Sequence, residues 1–115
     1  MKRVLLFLAT GLLLAWPVQG QSGSGIHTLQ VTIGASATKV STAQLLVYQV
    51  TVQNNASHAV RVGDSTASSS VGALLASGSP GGSVNFGPLP FKAIDLSKLY
   101  VAGTQNDVID VVYIQ

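Results

Sequence analysis

The sequence predicts an all-β domain, a small antiparallel β-sandwich or barrel-like fold of six to eight short strands. Beyond residue 25 the apolar residues alternate with polar ones, and Gly, Asn, Ser and Pro separate the alternating runs. No helical period is sustained there, and residues 39–46 and 93–99 are each expected to hold one helical turn at most. Residues 26–115 are therefore expected to form a single domain.

The N-terminus has the pattern of a secretory signal peptide, assigned to residues 1–20. Two cations, Lys2 and Arg3, precede an apolar run at residues 4–16, and small or compact residues follow. That run is shorter than the roughly 20 residues that a membrane span needs. We expect cleavage after position 20, a flexible lead-in at residues 21–25, and a secreted, periplasmic or extracellular product. An uncleaved membrane anchor is the alternative.

The first strand is expected at residues 26–33, where Leu29, Val31 and Ile33 alternate with polar residues. The sequence Gly-Ala-Ser at residues 34–36 ends this run. One face of the strand should therefore be buried.

A second strand is expected at residues 44–53. Its alternation places four apolar side chains on one face: Leu46, Tyr48, Val50 and Val52. Residues 54–57, Asn-Asn-Ala-Ser, are typical of a turn because Asn side chains bond their own backbone. Residues 60–63 are predicted to return as the hairpin partner.

Residues 65–82 are rich in Ser, Ala and Gly and are predicted to form a loop, with a short strand or turn around Leu74. The sequence Gly-Ser-Pro-Gly-Gly at residues 78–82 indicates a turn. Alternation then predicts a strand at residues 83–86.

The last part of the chain contains Pro88 and Pro90, which exclude a helix and indicate an edge or crossing segment. Two final strands follow, at residues 99–102 and 108–114, and a turn at residues 103–107 joins them. The last strand is typical of zipper-forming segments. Asp107 and Asp110 are interpreted as gatekeepers that oppose its aggregation.

Charge and composition exclude several classes of partner. The net charge of +2 is carried by the leader, because the rest of the chain has four cations and four Asp residues and no Glu. With no basic cluster, nucleic acid and anionic membrane are not expected as partners. The absence of Cys removes disulfides, thiol catalysis and zinc–thiolate sites. We expect no cofactor or metal, with a loop calcium at Asn106 and Asp107 as the alternative.

One short motif suggests catalysis. Gly63, Asp64 and Ser65 follow an apolar run and resemble the nucleophile block of the GDS-type esterases, and residues 103–107 partly resemble that family's glycine and asparagine block. The resemblance implies Ser65 as a nucleophile served by a histidine late in the chain.

That histidine is missing, since His27 and His58 both precede Ser65. A strand separates His58 from Ser65, and about 3.3 Å of rise per residue places them more than roughly 10 Å apart. No helix follows Ser65 to form a nucleophile elbow. We therefore expect no enzymatic activity. Instead, Asp64 and Ser65 are expected to bond local backbone amides in an Asx or ST turn, with the Ser-rich run solvated.

A second resemblance covers residues 50–115. The segments V-R-V-G-D-S-T, G-A-L-L-A-S-G and D-L-S-K-L-Y-V resemble a small β module of tailed-phage virion proteins and related environmental sequences. The resemblance implies a structural or attachment role without catalysis. The leader is a departure, because virion proteins normally lack one.

The function predicted is that of a secreted structural or interaction module, with an unknown protein or glycan surface as partner and self-association through strand edges. A glycan- or ligand-binding domain is the alternative, with contacts from Asp64, Ser65 and Phe91 and the loop at residues 64–82. A virion-type attachment protein and, remotely, a serine hydrolase are the others. Asn55 begins an N-glycosylation sequon and is the candidate modification site, used only in a host that glycosylates exported proteins.

Overall fold

A computed structural model describes residues 25–115. The predicted signal peptide and residues 21–24 of the lead-in lie outside the described residues. The described chain has ten strands and one 3-10 helix. In chain order the strands are β1 (Ile26–Thr32), β2 (Thr38–Lys39), β3 (Leu46–Val47), β4 (Gln49–Gln53), β5 (Val60–Gly63), β6 (Ala73–Leu75), β7 (Ser83–Phe86), β8 (Ile94–Asp95), β9 (Tyr100–Ala102) and β10 (Val108–Ile114), with the 3-10 helix at Leu96–Lys98 between β8 and β9.

The strands form two four-stranded sheets and one two-stranded ribbon. The first sheet has the order β1-β10-β4-β7, the second has the order β2-β9-β5-β6, and β3 pairs with β8. Every pairing is antiparallel. The predicted fold class, a small antiparallel all-β domain, is confirmed.

The two larger sheets share one core, made mainly of β-branched side chains. Its buried members are Val31, Ile33, Val40, Val47, Val50, Val52, Val60, Val62, Leu75, Leu96, Val101, Ile109 and Val111. Alternate residues of each strand point into this core, as the period of two requires. Because the described chain has no disulfide, packing of these side chains and strand pairing hold the fold.

The predicted hairpin between residues 44–53 and 60–63 is wrong. β4 pairs with β10 and β7, whereas β5 pairs with β6 and β9 in the other sheet. The turn after β4 therefore carries the chain from one sheet to the other. Local turn chemistry is the same for both outcomes, so the sequence did not separate them.

The second predicted strand is divided at Tyr48. β3 joins the ribbon and β4 joins the first sheet, and Val47, Val50 and Val52 are all buried. Leu46, placed on the buried face by the sequence, is 39% exposed. The bend at Tyr48 shifts the alternation by one residue, and this corrects the predicted facing of Leu46.

The 3-10 helix lies within residues 93–99, where one helical turn was expected. Asp95 begins it, because its Oδ1 accepts hydrogen bonds from the Ser97 backbone N–H at 2.9 Å and the Ser97 hydroxyl at 2.7 Å. Leu96 is fully buried beneath the turn. Residues 39–46 hold no such turn in the described chain; they link β2 to β3.

The strand at Val108–Ile114 is interior to its sheet, since β1 and β4 pair with its two sides. Asp107 and Asp110 therefore do not lie on an exposed edge strand in the folded protein. Across residues 25–115 there is also no helix with the length and apolar character needed to cross a membrane.

Candidate functional site

The turn after β5 has the conformation that the sequence predicts. Asp64 Oδ1 accepts hydrogen bonds from the Thr66 N–H at 2.9 Å and the Thr66 hydroxyl at 2.5 Å, and the Ala67 N–H donates to the Asp64 carbonyl at 2.9 Å. The hydroxyl of Thr66, followed by its N–H, holds the pKa of the Asp64 carboxyl below its usual value. Asp64 thus forms the expected Asx turn, which is confirmed.

Ser65 is exposed at the tip of this turn. Its hydroxyl makes no hydrogen bond among residues 25–115, so the bond expected from Ser65 to a local backbone amide is not formed. A histidine–carboxylate pair, the kind that serves a catalytic serine, lies elsewhere in the structure: His58 Nδ1 is 2.9 Å from Asp107 Oδ2. Ser57 Oγ also approaches His58 Nδ1, at 3.4 Å. A catalytic triad needs the serine and the carboxylate on opposite ring nitrogens, so this arrangement is not a proton relay.

The His58–Asp107 pair was not predicted, although both residues were considered separately. Their side chains are 55% and 16% exposed, so water reaches the histidine. The pair joins the loop before β5 to the loop before β10. Among residues 25–115 no three His or Asp side chains come together.

Asn55, the candidate glycosylation site, is exposed, and its Nδ2 donates to Asp110 Oδ2 at 2.9 Å. Gln30 Nε2 donates to the other carboxylate oxygen at 2.9 Å. The Gln30 contact, and then the Asn55 contact, holds the pKa of Asp110 below its usual value. A glycan on Asn55 would be attached to the nitrogen that now contacts Asp110.

Phe91 is 65% exposed, as predicted for this aromatic. It lies between β7 and β8, next to Lys92, whose Nζ is 5.8 Å from the centre of the Tyr48 ring.

A hollow of about 500 Å³ lies on the outer side of the second sheet. Its floor is formed by Arg61 of β5 with its cross-strand neighbours Leu74 of β6 and Ala102 of β9. Loop residues complete the wall: Ala35, Ser36, Ala37, Ala59, Ala67, Ser68, Ser69, Gly103 and Thr104. We call this the Arg61 hollow.

Only part of the predicted ligand loop lines the Arg61 hollow. Ala67, Ser68, Ser69 and Leu74 come from residues 64–82, but Asp64, Ser65 and Phe91 are not among the lining residues. The other walls come from residues distant in sequence, which no local motif could reveal.

Arg61 is held in place by the loop that follows its strand. Its Nε donates to the Ser69 carbonyl at 3.1 Å and its Nη1 donates to the Gly72 carbonyl at 2.8 Å. In the described part of the chain the only ion pair is His58–Asp107, so no carboxylate there forms an ion pair with Arg61. This role of Arg61 could not be predicted from the sequence, because Val-Arg-Val has the alternation of an ordinary half-buried strand.

The side of β1 that faces away from β10 forms the second notable surface. The Gln115 N–H donates to the Gly25 carbonyl at 2.9 Å, and the Ile33 N–H donates to the Asp107 carbonyl at 2.8 Å. Because antiparallel pairs alternate, odd-numbered residues of β1 bond β10 and even-numbered ones point away from it. The backbone groups of Thr28, Gln30 and Thr32 therefore lie along the outer edge. We call these three residues the β1 edge.

Comparison with known proteins gives no relative, since no family model, curated protein or solved structure matches the chain. The resemblance to tailed-phage modules stays a prediction. Function must therefore be argued from the two surfaces just described.

Proposed function

We propose that this protein is an exported, non-enzymatic structural or interaction module that joins its partner by strand addition at the β1 edge. The main support is the outward direction of the backbone N–H and C=O groups of Thr28, Gln30 and Thr32. These groups have no hydrogen-bond acceptor or donor among residues 25–115. Such a row of unpaired groups is a template for another strand.

The β1 edge has more room for a partner than the other sheet edges. β1 has seven residues, whereas the edge strands β7, β2 and β6 have four, two and three. β1 also contains no Lys, Arg, Asp, Pro or Gly, the residues that commonly protect an edge. A strand added here would extend the core beside Leu29 and Val31.

The partner proposed is a second copy of this chain. An antiparallel pairing centred on Gln30 sets Thr28 opposite Thr32 of the second copy, so that three pairs of residues each exchange two backbone hydrogen bonds. The pairing is self-complementary and closes as a two-fold dimer. The pairing would join the first sheet of one copy to the first sheet of the other, which makes one continuous eight-stranded sheet.

Replacement of Thr28 by proline tests this function. The Thr28 N–H points away from β10, so proline removes an edge donor without removing a bond inside the sheet. We expect the wild type to become dimeric as its concentration rises and Thr28→Pro to stay monomeric, as measured by sedimentation velocity.

The matched control is Thr28→Val, which keeps the N–H and the β-branched shape and should dimerise like the wild type. Circular dichroism and thermal melting would establish that all three proteins are folded. A wild type that is monomeric at every concentration, or a proline variant that dimerises as well as Thr28→Val, would contradict the proposal.

A further inference from the structure

We infer that the Arg61 hollow binds a small carboxylate ligand of monosaccharide size, of the uronic acid class. This inference is independent of the β1 edge, because the hollow lies on the other sheet. Its volume of about 500 Å³ falls within the range of small-molecule sites, roughly 300–1,000 Å³, and exceeds what a bare ion would fill.

The charge of the hollow favours an anion. Arg61 is the only charged residue among those that line it. Both acceptors that Arg61 contacts are neutral carbonyls, of Ser69 and Gly72, and no carboxylate of residues 25–115 forms an ion pair with it. The planar fork of N–H groups in a guanidinium matches a carboxylate.

Arg61 is also positioned before any ligand arrives. Its two hydrogen bonds to loop carbonyls use two of its five N–H groups and fix the guanidinium plane. Two N–H groups on Nη2 and one on Nη1 have no acceptor among residues 25–115. A ligand carboxylate would then bind without the entropic loss of ordering a long side chain.

The remaining polar groups suit a hydroxylated ligand. The hydroxyls of Ser36, Ser69 and Thr104 line the hollow and make no hydrogen bond within the described chain. Each hydroxyl can donate and accept, as sugar hydroxyls require. Methyl groups of the surrounding alanines supply the apolar area between them.

Titration of the ¹⁵N-labelled protein with sodium glucuronate, followed by NMR, tests the inference. Glucose at the same concentration is the neutral control, and sodium sulfate at matched ionic strength is the bare-anion control. We expect saturable shifts at residues 36, 69 and 102–104 with glucuronate, at least about tenfold weaker binding of glucose, and weaker binding of sulfate. Equal effects of glucuronate and glucose, or of glucuronate and sulfate, would overturn it.

Two variants locate the site. Arg61→Gln removes the charge, and Lys98→Gln removes one positive charge from an exposed residue outside the hollow. We expect roughly tenfold weaker glucuronate binding for Arg61→Gln and no change for Lys98→Gln.

Arg61→Gln also alters the loop that Arg61 holds, so a third variant leaves those bonds intact. Ala59→Phe fills the hollow from its wall and removes neither a donor nor an acceptor of the two Arg61 hydrogen bonds, and it should abolish the shifts. If Ala59→Phe binds glucuronate like the wild type, the ligand does not occupy the hollow and the inference fails.

Discussion

The side chain of Asn54 connects two loops from inside the protein. Asn54 is fully buried, and its Nδ2 donates to the carbonyls of His58, Leu75 and Ala76 at 2.9, 3.0 and 3.2 Å. Its Oδ1 accepts from the Ala56 N–H at 2.9 Å. This single amide thus holds the crossing between the sheets against the end of β6.

Removal of this amide should be strongly destabilising. Asn54→Ala would leave buried carbonyls without donors, which we expect to lower the free energy of unfolding by about 2–4 kcal/mol. Asn55→Ala, at the neighbouring exposed position, is the control and should lower it by less than about 1 kcal/mol. Urea denaturation of the three proteins measures both effects, and equal losses would show that Asn54 is not the residue holding the loops.

Ser65 should be chemically silent. It is exposed, and no base contacts it within the described chain, so a serine-reactive fluorophosphonate should leave no adduct there. Mass spectrometry of the treated protein checks this, with Ser65→Ala as the reference. A stoichiometric adduct that disappears in Ser65→Ala would establish the hydrolase alternative instead.

Three carboxylates should make the free energy of unfolding depend on pH. Hydrogen bonds from Thr66, Ser97 and Gln30 lower the pKa values of Asp64, Asp95 and Asp110 from an ordinary value of 3.8. A lowered pKa means that the folded state favours the ionised group, so this stabilisation is present above pH 3.8 and is lost as the pH falls through the lower folded values.

We therefore expect urea denaturation midpoints that are level near neutral pH and fall below about pH 4. Asp95→Asn keeps an acceptor oxygen for Ser97 but cannot titrate, so its midpoint should fall less between pH 4 and pH 2. Solvent exposure of these groups keeps each effect small. A midpoint that rises with acid would contradict the assignment.

Individual strands were predictable from the sequence, but their pairing partners were not. β5 and β10 were predicted at residues 60–63 and 108–114, because alternation and turn residues are local signals. Pairing depends on contacts between distant segments, as when β10 inserts between β1 and β4. The bend at Tyr48 escaped detection for the same reason, since both parts of residues 44–53 are apolar and strand-forming.

The candidate surfaces follow the same division. The Asx turn at Asp64 and the exposure of Phe91 are local properties and were predicted. The Arg61 hollow needs residues 35–37, 67–69 and 102–104 to meet on one sheet face, and no spacing along the chain indicates that they do.

The turn between β6 and β7 depends on close backbone approach at Gly81. A Cβ at this position would overlap the carbonyl oxygens of Asn54 and Ala76, both of them backbone atoms that cannot rotate away. We expect Gly81→Ala to destabilise the protein by about 2–3 kcal/mol. Gly34→Ala is the milder control, because its Cβ would meet only the Thr38 hydroxyl at 3.3 Å. Thermal melting compares the two, and equal melting temperatures would refute this role for Gly81.

The first and last strands, β1 and β10, are neighbours in the fold. β1 pairs with β10 along its full length, from Ile26 opposite Ile114 to Thr32 opposite Val108. The first sheet is therefore completed only when segments about eighty residues apart meet, which slows folding relative to proteins with local contacts.

This arrangement also determines how the protein would respond to tension. Gly25 and Gln115 are joined by a hydrogen bond at the same end of the β1–β10 pair. A pull on the two ends of the described chain would act across the strands, so it would load one pair of hydrogen bonds after another instead of all of them together. The β1–β10 pair would therefore separate at low force, starting from Gly25 and Gln115. A force applied to β4 and β5 would instead act on both sheets, because β4 belongs to the first sheet and β5 to the second.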